Sequence, residues 1–140
     1  MHMNDHAQAR RAAVKRILTE MQITSQDQLA AELGSRGHAS TQSSISRDFA
    51  ELGVEKVAGR YVLRAANEIR ILGITAILSA GDHLLVIKTT EGAAQAVAFK
   101  LDHLELPEIV GTVAGDDTIF IATADKAGQD AIRKALEGIQ

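Results

Sequence analysis

The stretch GTVAGDDTIFIA, Gly111 to Ala122, decides how the second half of this chain is read. Two adjacent carboxylates, Asp116 and Asp117, stand at a glycine turn between two apolar runs. Ile109 to Val113 and Thr118 to Ala122 read as strands, with Gly115 and Asp116 where the chain reverses, so the acid pair lies at the end of a hairpin. Like charges held side by side repel, and they favour a cation between them: a metal ion, or a planar guanidinium taking parallel hydrogen bonds. A solvated turn is the plain alternative, because Asp is a common turn residue.

Outward from the turn, Ile71 to Ser79 reads as an apolar strand, Gly81-Asp82 as a turn, and His83 to Thr89 as a second strand. Ala93 to Leu104 has helical spacing, with Ala94, Val97, Ala98, Leu101 and Leu104 on one face; a last helix runs from about Ala127 to Ile139. The order ββαββα predicts an α+β domain with helices on one face of an antiparallel sheet. Apolar residues fall on both sides of the strands, so the second sheet face is expected to be covered by self-association. Gln95 and Asp102, at i and i+7, share a side of the first of these helices and can converge with the acid turn. One amide and three carboxylates make a poor transition-metal site. A hard cation stays open, and an amino acid with a cationic side chain suits the set better.

The first half has a different character. From His6 to Met21, Ala9, Ala12, Ala13, Ile17, Leu18 and Met21 follow helical spacing, and Arg10, Arg11, Lys15 and Arg16 form a basic face. A second helix starts at Thr24 or Ser25, where Ser25 and Gln28 suggest a capping box, and stops at Gly34. A third begins after Ser40 or Thr41 and ends at Gly53. Its stripe Ile45, Phe49 and Leu52 is apolar, which leaves Gln42, Ser43, Ser46, Arg47 and Ala50 on the opposite face. Such a face can lie in a major groove, where Arg pairs with guanine and Gln with adenine; a merely solvated face has the same composition. Val54 to Val57 and Arg60 to Leu63, joined by Ala58-Gly59, then read as a hairpin carrying Lys56 and Arg60. Three helices followed by a hairpin is the winged helix-turn-helix plan, in which the hairpin flanks the duplex. Residues 1–64 are therefore expected to bind double-stranded DNA, 65–70 to be a linker, and 71–140 to bind a ligand and oligomerise.

Composition fits this division. Residues 1–66 carry nine Lys/Arg against seven Asp/Glu, and residues 67–140 carry six against eleven. A mildly basic front joined to an acidic back suggests two modules with different partners. With 46% hydrophobic residues but only 3% aromatics, the cores must be built from Ile, Leu, Val and Ala, and aromatic stacking platforms for single strands are lacking. The absence of cysteine excludes disulfides and thiolate chemistry. No apolar run is long enough to span a bilayer and the N-terminus has no apolar signal core, so a soluble cytoplasmic protein is expected.

Three segments carry a family resemblance: TQSSISRDFAELGVEKV (Thr41 to Val57), EGAAQAVAFKLDHL (Glu91 to Leu104) and the acid-turn stretch itself. In this order they resemble the bacterial arginine repressor family, over nearly the whole chain. The resemblance implies an N-terminal winged helix on operator DNA and a C-terminal domain that trimerises. It further implies two trimers stacked into a hexamer with L-arginine between them as corepressor. Carried over residue by residue, it places Gln95, Asp102, Asp116 and Asp117 around the arginine, and Gln42, Ser43, Ser46 and Arg47 at the DNA. The chain departs from the family in its tight Ala58-Gly59 wing turn and in Glu91-Gly92, where Pro-Gly is common.

A same-fold regulator with another effector, or an architectural factor in recombination, is compatible with the same sequence. An enzyme using Asp102, Asp116 and Asp117 is the remaining alternative. No nucleophile-base pair, phosphate loop or HExxH-type motif accompanies those acids, and no metal or enzymatic activity is expected.

Overall fold

The structure is a computed structural model that describes residues 3–139. The chain divides into two compact units between Arg64 and Ala65. The first contains α1 (Met3–Glu20), α2 (Gln26–Ser35), α3 (Gln42–Leu52), β1 (Val54–Val57) and β2 (Arg60–Leu63). Ser25 caps α2 by accepting from the Gln28 N–H at 3.0 Å, but Gln28 Oε1 reaches back to the Thr24 N–H, one residue before the expected box partner. The full capping box belongs to α3, between Thr41 and Ser44. That helix ends at Gly53, whose φ of +67 closes it in the left-handed region that glycine enters without a Cβ penalty.

Val14, Ile17, Ile23, Leu29, Leu33 and Ile45 form the core of this unit, with Phe49, Leu52 and Tyr61 packed against it. The α1 stripe differs from the sequence reading: Val14 and Ile17 are buried, whereas Ala9, Ala12 and Met21 are exposed. Ile23 ties the helices to the hairpin, accepting the Tyr61 N–H at 2.8 Å. In the hairpin turn Ala58 and Gly59 have φ of +51 and +80, positive at both central positions, the turn whose twist matches a two-stranded ribbon.

The second unit opens with a helix. Residues 65–70, expected as a linker, lie in helix α4 (Arg64–Leu72), and the first strand starts at Ile74 rather than Ile71. There follow β3 (Ile74–Ser79), β4 (Leu84–Thr89), α5 (Ala94–His103), β5 (Gly111–Ala114), β6 (Thr118–Ala122) and α6 (Lys126–Ile139). The sheet runs β3-β4-β6-β5, antiparallel throughout. Register pairs Leu85 with Ile121 and Ile87 with Ile119, and all four are buried on one face. On the other face Leu78 pairs with Val86, Val86 with Phe120, and Phe120 with Val113. That apolar row crosses every strand and stays open within the unit, with Leu78, Phe120 and Val113 exposed by 52%, 48% and 72%.

Buried Gln129 of α6 fastens the β3–β4 turn. Its Nε2 donates to the Gly81 carbonyl at 2.8 Å and the Leu84 carbonyl at 3.1 Å, and its Oε1 accepts from Ser79 Oγ at 2.9 Å. Among the described residues no helix is long and apolar enough to cross a membrane.

Candidate functional site

The acid turn is held by its backbone. The Asp116 carbonyl accepts the Ala94 N–H at 3.0 Å, the Asp117 carbonyl accepts the Thr89 N–H at 2.9 Å, and Gly115 N–H donates to the Thr118 carbonyl at 2.9 Å. Neither Gly115 nor the two acids has a positive φ, so the reversal does not depend on the glycine's conformational freedom. Both carboxylates remain exposed. Asp117 Oδ1 accepts from Thr118 Oγ1 at 2.9 Å, and that hydroxyl accepts from Lys88 Nζ at 2.6 Å. This relay was not read from the sequence. It becomes visible only in the register that sets Lys88 opposite Thr118.

Gln95, exposed on the first turn of α5, directly follows Ala94, whose N–H bonds the acid turn. Asp102 is also exposed but stands about 10 Å further along the helix at 1.5 Å rise per residue. There it accepts a 3.2 Å bond from Thr112 Oγ1 of β5. One chain thus supplies a row along α5 and a turn at one end of that row. Among the described residues no three acidic or histidine side chains gather as a metal site.

In the first unit Gln42, Ser43, Ser46 and Arg47 are exposed on α3. Lys56 is exposed on β1, its Nζ 5.3 Å from the Tyr61 ring centroid across the hairpin, while Arg60 on β2 is half-buried. The residue beside Arg47 behaves in the opposite way. Asp48 is fully buried and accepts from Arg10 Nε at 2.6 Å, Arg10 Nη2 at 2.9 Å and Arg11 Nε at 3.0 Å. Burial pushes its pKa up, but the bonds from Arg10 and Arg11 outweigh this and hold the carboxyl below its ordinary value. The bond to Asp48 raises Arg10 in turn. Half of the basic face expected on α1 is therefore turned into the unit. Consecutive arginines on one helix and an acid flanking the apolar stripe of another were the available signal.

Comparison with known proteins gives the family of both units. Residues 6–69 match the family model described as arginine repressor, DNA binding domain, and residues 76–138 the one described as arginine repressor, C-terminal domain. The fold and the matches define a two-unit regulator with an N-terminal DNA-binding domain. Similar curated proteins include the arginine repressor of Desulforudis audaxviator, 37% identical over 93% of this chain and 95% of its own length. That of Solibacter usitatus is 37% identical over 93% and 94%, and that of Thermus thermophilus 37% over 93% and 88%. This chain belongs to the arginine repressor family.

Proposed function

We propose that the protein is an arginine-responsive transcriptional regulator that binds operator DNA as a hexamer and controls genes of arginine metabolism. Residues 1–64 hold the duplex: Gln42, Ser43, Ser46 and Arg47 face the bases and nearby phosphates, and Lys56 and Arg60 lie along the backbone. Residues 71–140 hold L-arginine and assemble two trimers, acting in the cytoplasm without a metal. The observation that carries this reading is the acid turn, whose backbone is pinned by three hydrogen bonds while its carboxylates stay exposed. Such a site is organised before the ligand arrives, which lowers the cost of binding.

The separation of Asp102 from the acid pair supports a shared site. A ligand held between trimers meets the turn of one chain and polar residues of another, so the acids need not converge within one chain. A guanidinium shielded there from water pairs strongly with carboxylates, and Gln95 suits the α-amino or α-carboxyl group. The open row Leu78, Val86, Phe120 and Val113 supplies an apolar surface for assembly. Bound arginine then ties trimers together, and later DNA contacts become intramolecular.

The test joins calorimetric titration of L-arginine with gel shifts of promoter fragments at several arginine concentrations. Asp116→Asn and Asp117→Asn are each expected to weaken arginine binding at least about tenfold, as for loss of one member of a shielded charge pair. By reciprocity they lose arginine's enhancement of DNA affinity by the same factor. Parental arginine binding and DNA response in both variants would return the turn to a solvated role.

A further inference from the structure

Lys88 is a charged residue in an apolar setting. Strand β4 turns Leu85, Ile87 and Thr89 into the core and Leu84, Val86 and Lys88 to the other side, so the ammonium shares the sheet face of the open Leu78, Val86, Phe120 and Val113 row. A lysine that serves solubility alone keeps its head in water. This one is half-buried, and its Nζ donates to the hydroxyl of its cross-strand partner Thr118 at 2.6 Å.

The direction of the next bond follows from chemistry. An ammonium can only donate, so the Thr118 hydroxyl accepts from it and must give its single proton elsewhere. The receiver is Asp117 Oδ1, at 2.9 Å. The residue after Lys88 holds the backbone of the same acid, the Thr89 N–H donating to the Asp117 carbonyl at 2.9 Å. Two consecutive positions of β4 thus fix Asp117 by main chain and side chain, whereas among the described residues no side chain bonds the Asp116 carboxylate. Neighbouring carboxylates push each other apart, and a tie on one of them opposes that drift.

We propose that Lys88 is a positioning residue of the ligand site, acting through the Thr118 hydroxyl to hold Asp117 in one orientation for a ligand's cationic group. This rests on the arginine-binding reading above. The role runs against charge alone. An ammonium one hydroxyl away from the acid repels an incoming guanidinium, so a bystander lysine would weaken binding. A positioning lysine strengthens it, because the carboxylate is ordered before the ligand arrives.

The experiment uses the full chain and calorimetric titration of L-arginine, with the melting temperature of each ligand-free variant as the check on folding. Lys88→Met keeps the aliphatic stem and removes the charge, while Thr118→Val keeps the shape and the lysine but removes the hydroxyl. Each is expected to weaken arginine binding by about threefold to tenfold, the value of one net hydrogen bond. Lys88→Arg, which still donates, restores most of the loss. The two variants break one series of bonds, so the double variant should bind no worse than the weaker single one. Backgrounds separate positioning from a merely structural part: Lys88→Met should still weaken binding in Asp116→Asn and cause no further loss in Asp117→Asn. Unchanged or tighter arginine binding in Lys88→Met, or an equal loss in both backgrounds, would overturn the assignment. A parent that did not bind L-arginine would instead refute the ligand reading itself.

Discussion

The two units treat their carboxylates in opposite ways. In the first, Asp48 is sealed inside and bonded three times to arginines. In the second, Asp102, Asp116 and Asp117 are all exposed; Asp102 and Asp117 each take a threonine hydroxyl, and the turn is held by its backbone. Burying a carboxylate is costly unless it is fully paired, so Asp48 can persist only as part of the fold. An exposed carboxylate on a fixed backbone adds little to folding and keeps its capacity for an incoming cation. The contrast separates an acid that organises the first unit from acids left open at the surface of the second.

The sharpest way to break this comparison is to remove Asp48. Asp48→Ala leaves two guanidiniums facing a void and is expected to cost about 3 kcal/mol or more of first-unit stability, whereas Asp116→Asn should change second-unit stability by under about 0.5 kcal/mol. Urea unfolding followed by probes placed in each unit measures both. Acid sharpens the same point. Asp48 has a depressed folded pKa, so its contribution is complete above the unfolded value near 3.9 and is lost as pH falls through the folded one. The raised pKa of Arg10 adds no change in that range, because its contribution is lost only in strong alkali.

A smaller effect is expected on the open sheet face. Phe120→Asp places a charge between Val86 and Val113 and should weaken assembly at least about tenfold, the value of one buried aromatic side chain, with the secondary structure of the unit retained. Sedimentation over a range of concentrations gives the answer; unchanged assembly would assign another surface to the interface. The smallest effect concerns the hairpin. Ala58→Asn replaces a residue held at φ +51 by one that tolerates it and should stabilise the first unit by about 0.5 kcal/mol, read as a higher urea midpoint.

Much of this architecture was legible in the chain. The caps at Ser25, Thr41 and Gly53, the Ala58-Gly59 turn and the strand Thr118–Ala122 after the acid turn are local signals that appear where the sequence puts them, while the strand before the turn starts at Gly111 rather than Ile109. What escaped was long-range or disguised. Ile69, Ile71 and Leu72 precede the apolar strand and blend into it, yet α4 buries Ile69 and leaves Ile71 68% exposed. Alanines weaken a helical stripe, because they read as apolar while burying little, and so Ala9 and Ala12 displaced Val14 in the α1 reading. Asp48 resembled a solvated helix residue until α1, more than thirty positions earlier, was folded against it. The acid turn was evident from its residues, but the distance along α5 that separates Gln95 from Asp102 is set by the fold and was hidden by their shared helix side.

The fastening of the β3–β4 turn by Gln129 also sets an order of events during synthesis. The groups it bonds, at Ser79, Gly81 and Leu84, precede it by 45 to 50 positions. A ribosome therefore releases the first hairpin of the second unit well before the residue that completes it. Until α6 emerges, the Leu84 carbonyl keeps only its bond from the Ala80 N–H, the Gly81 carbonyl and the Ser79 hydroxyl lack their Gln129 partner, and the strands lack the helix that fastens their turn. The first unit closes with its hairpin at Leu63 and can finish folding while the second is still being made. Translation should thus produce a stretch of time in which the DNA-binding half is native and the sheet half is not. Stalled nascent chains ending before and after α6 would differ in protease resistance only downstream of Arg64.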